Sequence, residues 1–278
     1  MSEEKKTKKK GKARKIILII LAVLLILLVL MWTVGSKIMY ERMPGNADQY
    51  DLENVAVVEN SPLEGKDILF LGSSVTYGLA ANGVSFADYF GTVDGVDVTK
   101  EAVSGTTLTD EWSFGGLIAG GSGKSYVDRL VEEVDPEQHF DAVVVQVSTN
   151  DATYGRELGE ISKSKKLDSF DTKTITGAME YIIAYSQKTW NCPVIFYTGT
   201  YFDSPDYAKM VERTKELSDK WGTYVIDLFN DKELNDITED QRKLYILDDN
   251  IHPTEAGYYL WWYPTLQENI YQILGETK

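Results

Sequence analysis

The 278-residue chain is long enough for one globular domain of about 200 residues with a full core, plus an N-terminal appendage. One cysteine, Cys192, excludes an intrachain disulfide, and with two histidines it leaves too few ligands for a His/Cys zinc cluster. Residues 1–15 hold seven Lys and one Arg against two Glu, a net +6, so the rest carries −21 of the total −15; a body that acidic repels phosphate, and no nucleic-acid partner is expected.

The first predicted element is the uncharged run IILIILAVLLILLVLMWTV at 16–34. At ~1.5 Å per residue it reaches ~28 Å, close to a ~30 Å hydrocarbon core. It follows a Lys-rich tail and ends without an A-x-A-like cleavage site, so it reads as an uncleaved signal anchor. The expectation is a single-pass membrane protein with a basic cytoplasmic tail over 1–15, a transmembrane helix over 16–34 and a catalytic domain outside the cell. Residues 35–65 show little periodicity and read as a stalk or linker with a first covering segment, and the domain is expected over 66–278.

From Lys66 short apolar runs alternate with helical patterns. Strands are predicted at 67–72 (DILFLG), 96–103, 141–147 (DAVVVQV), 192–197 (CPVIFY) and 224–229 (YVIDLF); Val- and Ile-rich runs bounded by turns suit a parallel sheet buried on both faces. Between them, Ile175, Ala178, Met179, Ile182 and Ser186 share one helical stripe, with Asp171 or Thr172 as its cap. Tyr207, Met210, Val211, Leu217 and Trp221 share another. A last helix starts near Thr254, rich in aromatics that pack on the sheet, with a kink at Pro264. Gly155–Ser169 reads as a surface loop or lid. Alternating strands and helices imply an α/β sandwich with right-handed crossovers.

In an open parallel sheet, ligands bind beyond the carboxyl ends of the strands. Ser74 follows the first strand, Gly105 the second, Asn150 the third, and the segment Asp248-Asp249-Asn250-Ile251-His252 comes after the fifth. Together these supply what ester cleavage needs: a hydroxyl nucleophile, a base that titrates near neutrality, an acid to orient it and donors for an oxyanion. Ser74, Asp249 and His252 are the candidate catalytic residues, and Gly105, Asn150 and the Ser74 N–H the candidate oxyanion hole. Alone, each has a plainer reading: Ser74 as a helix cap, Asn150 as a turn residue, Gly105 as a turn glycine, Asp249 as solvated surface in competition with Asp248. The other histidine, His139, precedes the third strand and lies at the opposite edge. Tyr201 and Phe202, after the fourth strand, are candidate substrate contacts. No metal or cofactor is called for.

The blocks FLGSSVTYG, AVSGTTL, VSTND and DDNIHPTEAGY, in that order, resemble those of the SGNH hydrolase superfamily, the GDSL esterases, over roughly residues 66–260. The resemblance implies a flavodoxin-like three-layer α/β/α fold with a five-stranded parallel sheet, Gly105 and Asn150 as oxyanion residues, and Asp249 and His252 as the D-x-x-H pair. It implies a serine esterase working through an acyl-enzyme, preferably on an O-acetyl ester of a carbohydrate or cell-wall polymer. A lipid or lysophospholipid ester, acyl transfer at the same site, or a non-catalytic glycan-binding module are the alternatives. The chain departs from the family pattern at Ser73, where an Asp is usual, and at Ser148, where a Gly is usual. GGSGKS at 120–125 is not a phosphate loop, because Ile118 occupies its first glycine position and no strand precedes it. Thr76 likewise breaks the G-x-S-x-G elbow.

Overall fold

The computed structural model describes residues 3–119 and 121–275. The chain divides into two units, Met1–Tyr40 and Glu41–Lys278. The first consists of most of one helix, α1 (Glu3–Glu41). Here the sequence expectation is corrected: among the described residues no helix is long and apolar enough to cross a membrane. Residues 1 and 2 and the side chains of 3–13, most of the expected basic tail, lie outside the described residues.

In the second unit, five strands form one parallel sheet in the order β2-β1-β3-β4-β5: β1 (Asp67–Gly72), β2 (Asp97–Ala102), β3 (Ala142–Gln146), β4 (Val194–Tyr197) and β5 (Tyr224–Ile226). All four strand pairings are parallel, in registers that set Ile68 against Ala142 and Val143 against Val194. Side-chain alternation splits the core in two. Leu69, Leu71, Val143, Val145 and Phe196 face α5 (Tyr126–Glu132), α7 (Ile175–Trp190) and α8 (Pro205–Trp221). Ile68, Phe70, Val144, Ile195 and Tyr197 face α3 (Phe86–Asp94), a π-helical turn (Gly257–Trp262) and α11 (Tyr263–Leu274). Between these lie the short helices α2 (Ser74–Tyr77), α4 (Phe114–Ile118), α6 (Thr149–Thr153), α9 (Lys232–Asn235) and α10 (Glu239–Tyr245). β1 turns outward to β2 on one side while β3 lies on the other, so the chain reverses direction between β1 and β3 and opens a crevice at their carboxyl ends.

Three local expectations shift. The cap of α7 is Thr174, whose side chain accepts the Gly177 N–H; Asp171 is spent one turn earlier, accepting from Lys173 N–H. The irregularity expected at Pro264 falls just before it, as the π turn, because Pro264 in the first turn of α11 has no N–H to return to the preceding turn. The Gly155–Ser169 loop is pinned rather than free: Arg213 donates to the Gly159 carbonyl and Lys220 to those of Ser162 and Ser164.

Part of the segment read as a stalk covers the body. Asn46 donates to the Ala80 carbonyl and accepts from Glu255 N–H, and Ser61 joins Tyr263, Gln267 and Tyr271 around the buried Asp94 carboxylate. Burial, with the Asp51 carboxylate beside it, raises Glu255 from 4.5 to about 7. A raised acid is stabilising only while protonated, so this contribution is lost as pH climbs from the unfolded value towards 7. Glu255→Gln should therefore raise the Tm by several degrees at about pH 8 and by less at about pH 5; a Tm gain equal at both would refute this reading of Glu255.

Candidate active site

β1 delivers the hydroxyl. Gly72 ends the strand where an added Cβ would lie 1.7 Å from Thr76 Oγ1, so only glycine allows the turn to close. Ser73 N–H, Thr76 N–H and the Thr76 hydroxyl all donate to Gln146 Oε1 on β3, at 2.9, 3.2 and 2.8 Å. Ser74 then begins α2, where the first N–H groups of a helix have no intrahelical partner. Tyr258 fixes the far side by donating to the Val75 carbonyl at 2.6 Å. Gln146 is a residue that reading the sequence for motifs passes over; its signal is a lone polar side chain inside the apolar run VVVQV.

The base arrives on a turn closed by the Ile246–Pro253 bridge, with Asn250 in the left-handed region at φ 57°. Asp249 Oδ1 accepts the backbone N–H groups of Ile251 and His252 at 2.8 and 3.1 Å, and Oδ2 lies 2.7 Å from His252 Nδ1. The other imidazole nitrogen, Nε2, is 2.7 Å from Ser74 Oγ. With the ring proton donated from Nδ1 to Asp249, Nε2 accepts from the Ser74 hydroxyl. Burial pushes the Asp249 carboxyl up, but the His252 ring and the two backbone N–H groups outweigh it and hold the group below the usual carboxylate range. Asp248 makes no hydrogen bond to the imidazole; its carbonyl accepts from the Asn250 side chain. His139 is exposed beside Asp141, at the start of β3.

Gly105 has φ 79°, and a Cβ there would lie 2.7 Å from the Gly115 carbonyl carbon. The Ser113 hydroxyl donates to the Gly105 carbonyl at 2.5 Å, so the segment 112–116 rides on this turn. Asn150, on α6, gives one amide hydrogen to the Thr106 carbonyl at 2.8 Å; an amide has a second hydrogen to offer. The next residue, Asp151, is buried and accepts from Leu108 and Thr109 N–H, so α6 grips the Gly105 loop from below. Burial raises its carboxyl, and the Ser148 hydroxyl and these backbone donors counter that. Ser148, where the family pattern has glycine, caps α6 by accepting Asp151 N–H and is fully buried. Ser73, where the pattern has Asp, is also fully buried and its hydroxyl has no hydrogen-bond partner among the described residues. Phe202 packs against Tyr207 and Phe229, whereas Tyr201 is exposed beside Phe229. Among the described residues no group of three or more His, Cys, Asp or Glu is placed to hold a metal ion.

This geometry can take a proton from an alcohol, pass it through an imidazole, and meet a developing oxyanion with N–H donors. The sequence pattern of the GDSL-like lipase/acylhydrolase family matches residues 70–260, a span holding all of these groups. The chain belongs to that family. Its members are ester-hydrolysing serine hydrolases, and so is this protein. No curated protein matches it in sequence. Among solved structures, a protein from Lactobacillus plantarum superposes with a TM-score of 0.57 at 17% identity, covering 77% of this chain and 99% of that one. A family two carbohydrate esterase from Clostridium thermocellum, in complex with cellohexaose, superposes at 0.53 and 20% identity over 79% of this chain and 67% of that one. At such identities these likenesses show the common fold.

Proposed function

We propose that this GDSL-family hydrolase cleaves an O-acyl ester, an O-acetyl group in the first instance, from a carbohydrate met outside the cell. Ser74 attacks the carbonyl, His252 takes the proton and returns it to the leaving alcohol, and Asp249 orients the ring. Gly105 and Ser74 N–H with the Asn150 amide receive the oxyanion, and water then releases the acyl group from Ser74. The observation that carries this reading is the His252 imidazole, 2.7 Å from Ser74 on one side and 2.7 Å from Asp249 on the other.

For the substrate, the support is a rim of exposed rings beside the oxyanion residues. Trp112 and Phe114, 59% and 63% exposed, flank the Ser113 that holds Gly105. Exposed Tyr154 follows Asn150 by four residues and lies under the Arg156 guanidinium, which is paired with Glu111. Flat aromatic faces interleaved with charged hydrogen-bonding groups suit a sugar. The likeness to a carbohydrate esterase solved with cellohexaose points the same way. A long acyl chain is the second reading, favoured by Leu117 and Ile118, which are exposed on the same short helix, α4.

One set of assays tests the proposal. A fluorophosphonate should label wild type on the Ser74 peptide and leave Ser74→Ala unlabelled. Intact cells carrying the full chain should release acetate from an added acetylated oligosaccharide. Trp112→Ala should lower kcat/KM for that oligosaccharide relative to p-nitrophenyl acetate by about tenfold, the loss of roughly one stacking contact. Equal labelling of both proteins would remove the mechanism; a preference for p-nitrophenyl dodecanoate over the sugar ester would replace the substrate.

A further inference from the structure

We propose that Arg129 is a positioning residue for the oxyanion site, clamping the nucleophile turn to the Gly105 turn; this rests on the roles proposed above for Ser74, Gly105 and Asn150. Arg129 lies on α5 and is only 1% exposed. A guanidinium has five N–H donors in a fixed plane, and all five have acceptors. Nε donates to the Lys124 carbonyl at 3.3 Å. Nη1 donates to the carbonyl and the carboxylate of Glu101, each at 2.9 Å. Nη2 donates to the Gly72 carbonyl at 2.8 Å and to the Thr106 hydroxyl at 3.1 Å.

The last pair matters most. Gly72 lies two residues before Ser74, and Thr106 directly follows Gly105. A single nitrogen therefore fixes the distance between the strand end that presents the nucleophile and the turn that presents an oxyanion N–H. The constraint extends further: the Thr106 hydroxyl donates on to the Val103 carbonyl at 2.7 Å, and the Thr106 carbonyl accepts from Asn150 Nδ2. Arg129, Thr106 and Asn150 thus form one hydrogen-bonded chain behind the side of the site where negative charge would develop. The buried cation also adds a favourable field there, partly offset by Glu101. Glu132 and Glu133 follow Arg129 by three and four residues, on and just past α5. It is instead Lys124 that pairs with both glutamates, leaving the guanidinium to point inward.

Lysine can supply charge but not a planar fork, so Arg129→Lys tests geometry apart from charge. A displacement of about 1 Å at a reacting centre costs about 100-fold. In full-length Arg129→Lys with a native circular dichroism spectrum, kcat for p-nitrophenyl acetate should fall by about 10–100-fold, with KM changed by less than about threefold. Millimolar guanidinium should restore about tenfold of the activity lost in Arg129→Ala, while urea, of similar shape but neutral, should not. A merely structural staple would lower the Tm without this kcat-specific loss and without selective rescue. Rates per folded molecule within about threefold of wild type in both variants, or equal rescue by urea, would overturn the proposal. Ser74→Ala, run in parallel, separates the two ideas. Full activity there would sink the nucleophile assignment and this proposal with it; an inactive Ser74→Ala beside a fully active Arg129→Ala would sink this proposal alone.

Discussion

His252→Ala should lower kcat/KM for p-nitrophenyl acetate by about 10⁴-fold or more, the largest effect expected of any single substitution outside the nucleophile itself. The reason is the double contact: the ring both accepts from Ser74 and is held through Nδ1 by Asp249. His139 cannot substitute, because it sits beside Asp141 at the amino-terminal edge of the sheet. The supporting acid should behave in graded fashion. Asp249→Ala leaves the imidazole without its Nδ1 partner and removes the acceptor of two backbone N–H groups, so a loss of about 10²–10⁴-fold is expected. Asp248→Ala, with no contact to the ring, should stay within about threefold of wild type. Because the Asp249 pKa is depressed in the fold, its stabilising contribution is present above the ordinary carboxylate value and is lost as pH falls through the folded one. Asp249→Ala should therefore flatten the acid limb of the Tm-against-pH curve. Reversed effects of the two aspartates in the kinetic comparison would transfer the orienting role to Asp248.

The second large effect is expected at the oxyanion site. Asn150→Ala should reduce kcat by about 10²–10³-fold with KM nearly unchanged, the signature of a contact made only in the transition state. Gly105→Ala should do at least as much for a different reason. Its Cβ would meet the Gly115 backbone at 2.7 Å in a left-handed conformation that L side chains resist, so the whole turn must move. The two causes are separable by thermal melting: Gly105→Ala should lower the Tm, whereas Asn150→Ala should lower kcat more than its lost bond to Thr106 lowers stability. If Asn150→Ala keeps kcat within about tenfold of wild type, the amide is a structural tie and the backbone N–H groups carry the oxyanion alone.

Arg129, Gln146 and Asp151 show where the limits of the linear chain lie. Each is a polar side chain in an unremarkable local context: a helix pair with glutamates, one Gln in a strand, the second half of an Asn-Asp turn. Each becomes part of the site only through partners more than forty positions away in the chain, at Gly72, Ser73 and Leu108. No local pattern records such a partner. The apolar run at 16–34 illustrates the opposite error. The length of that uncharged run and the Lys-rich tail before it predicted a membrane span, yet among the described residues no helix is long and apolar enough to cross one.

What the amino-acid sequence determined by itself was whatever depends on short-range periodicity and on chemistry within a few residues. Three of the five β-runs, β1, β3 and β4, were legible because strands buried on both faces are apolar almost throughout, whereas the edge strands β2 and β5 are only partly buried. The Asp249–His252 pair was legible because an acid three residues before a histidine can reach it inside one turn. The order of the blocks, each just past a strand, identified the family and the edge of the sheet that holds the site. Tertiary structure alone decided that Ser74 and His252, 178 positions apart, come within 2.7 Å, and that a buried guanidinium ties the Gly72 and Thr106 turns together. The physical reason is that a hydrogen bond is satisfied in space and directed by angle, whereas the chain between its ends can take almost any length at a small entropic cost.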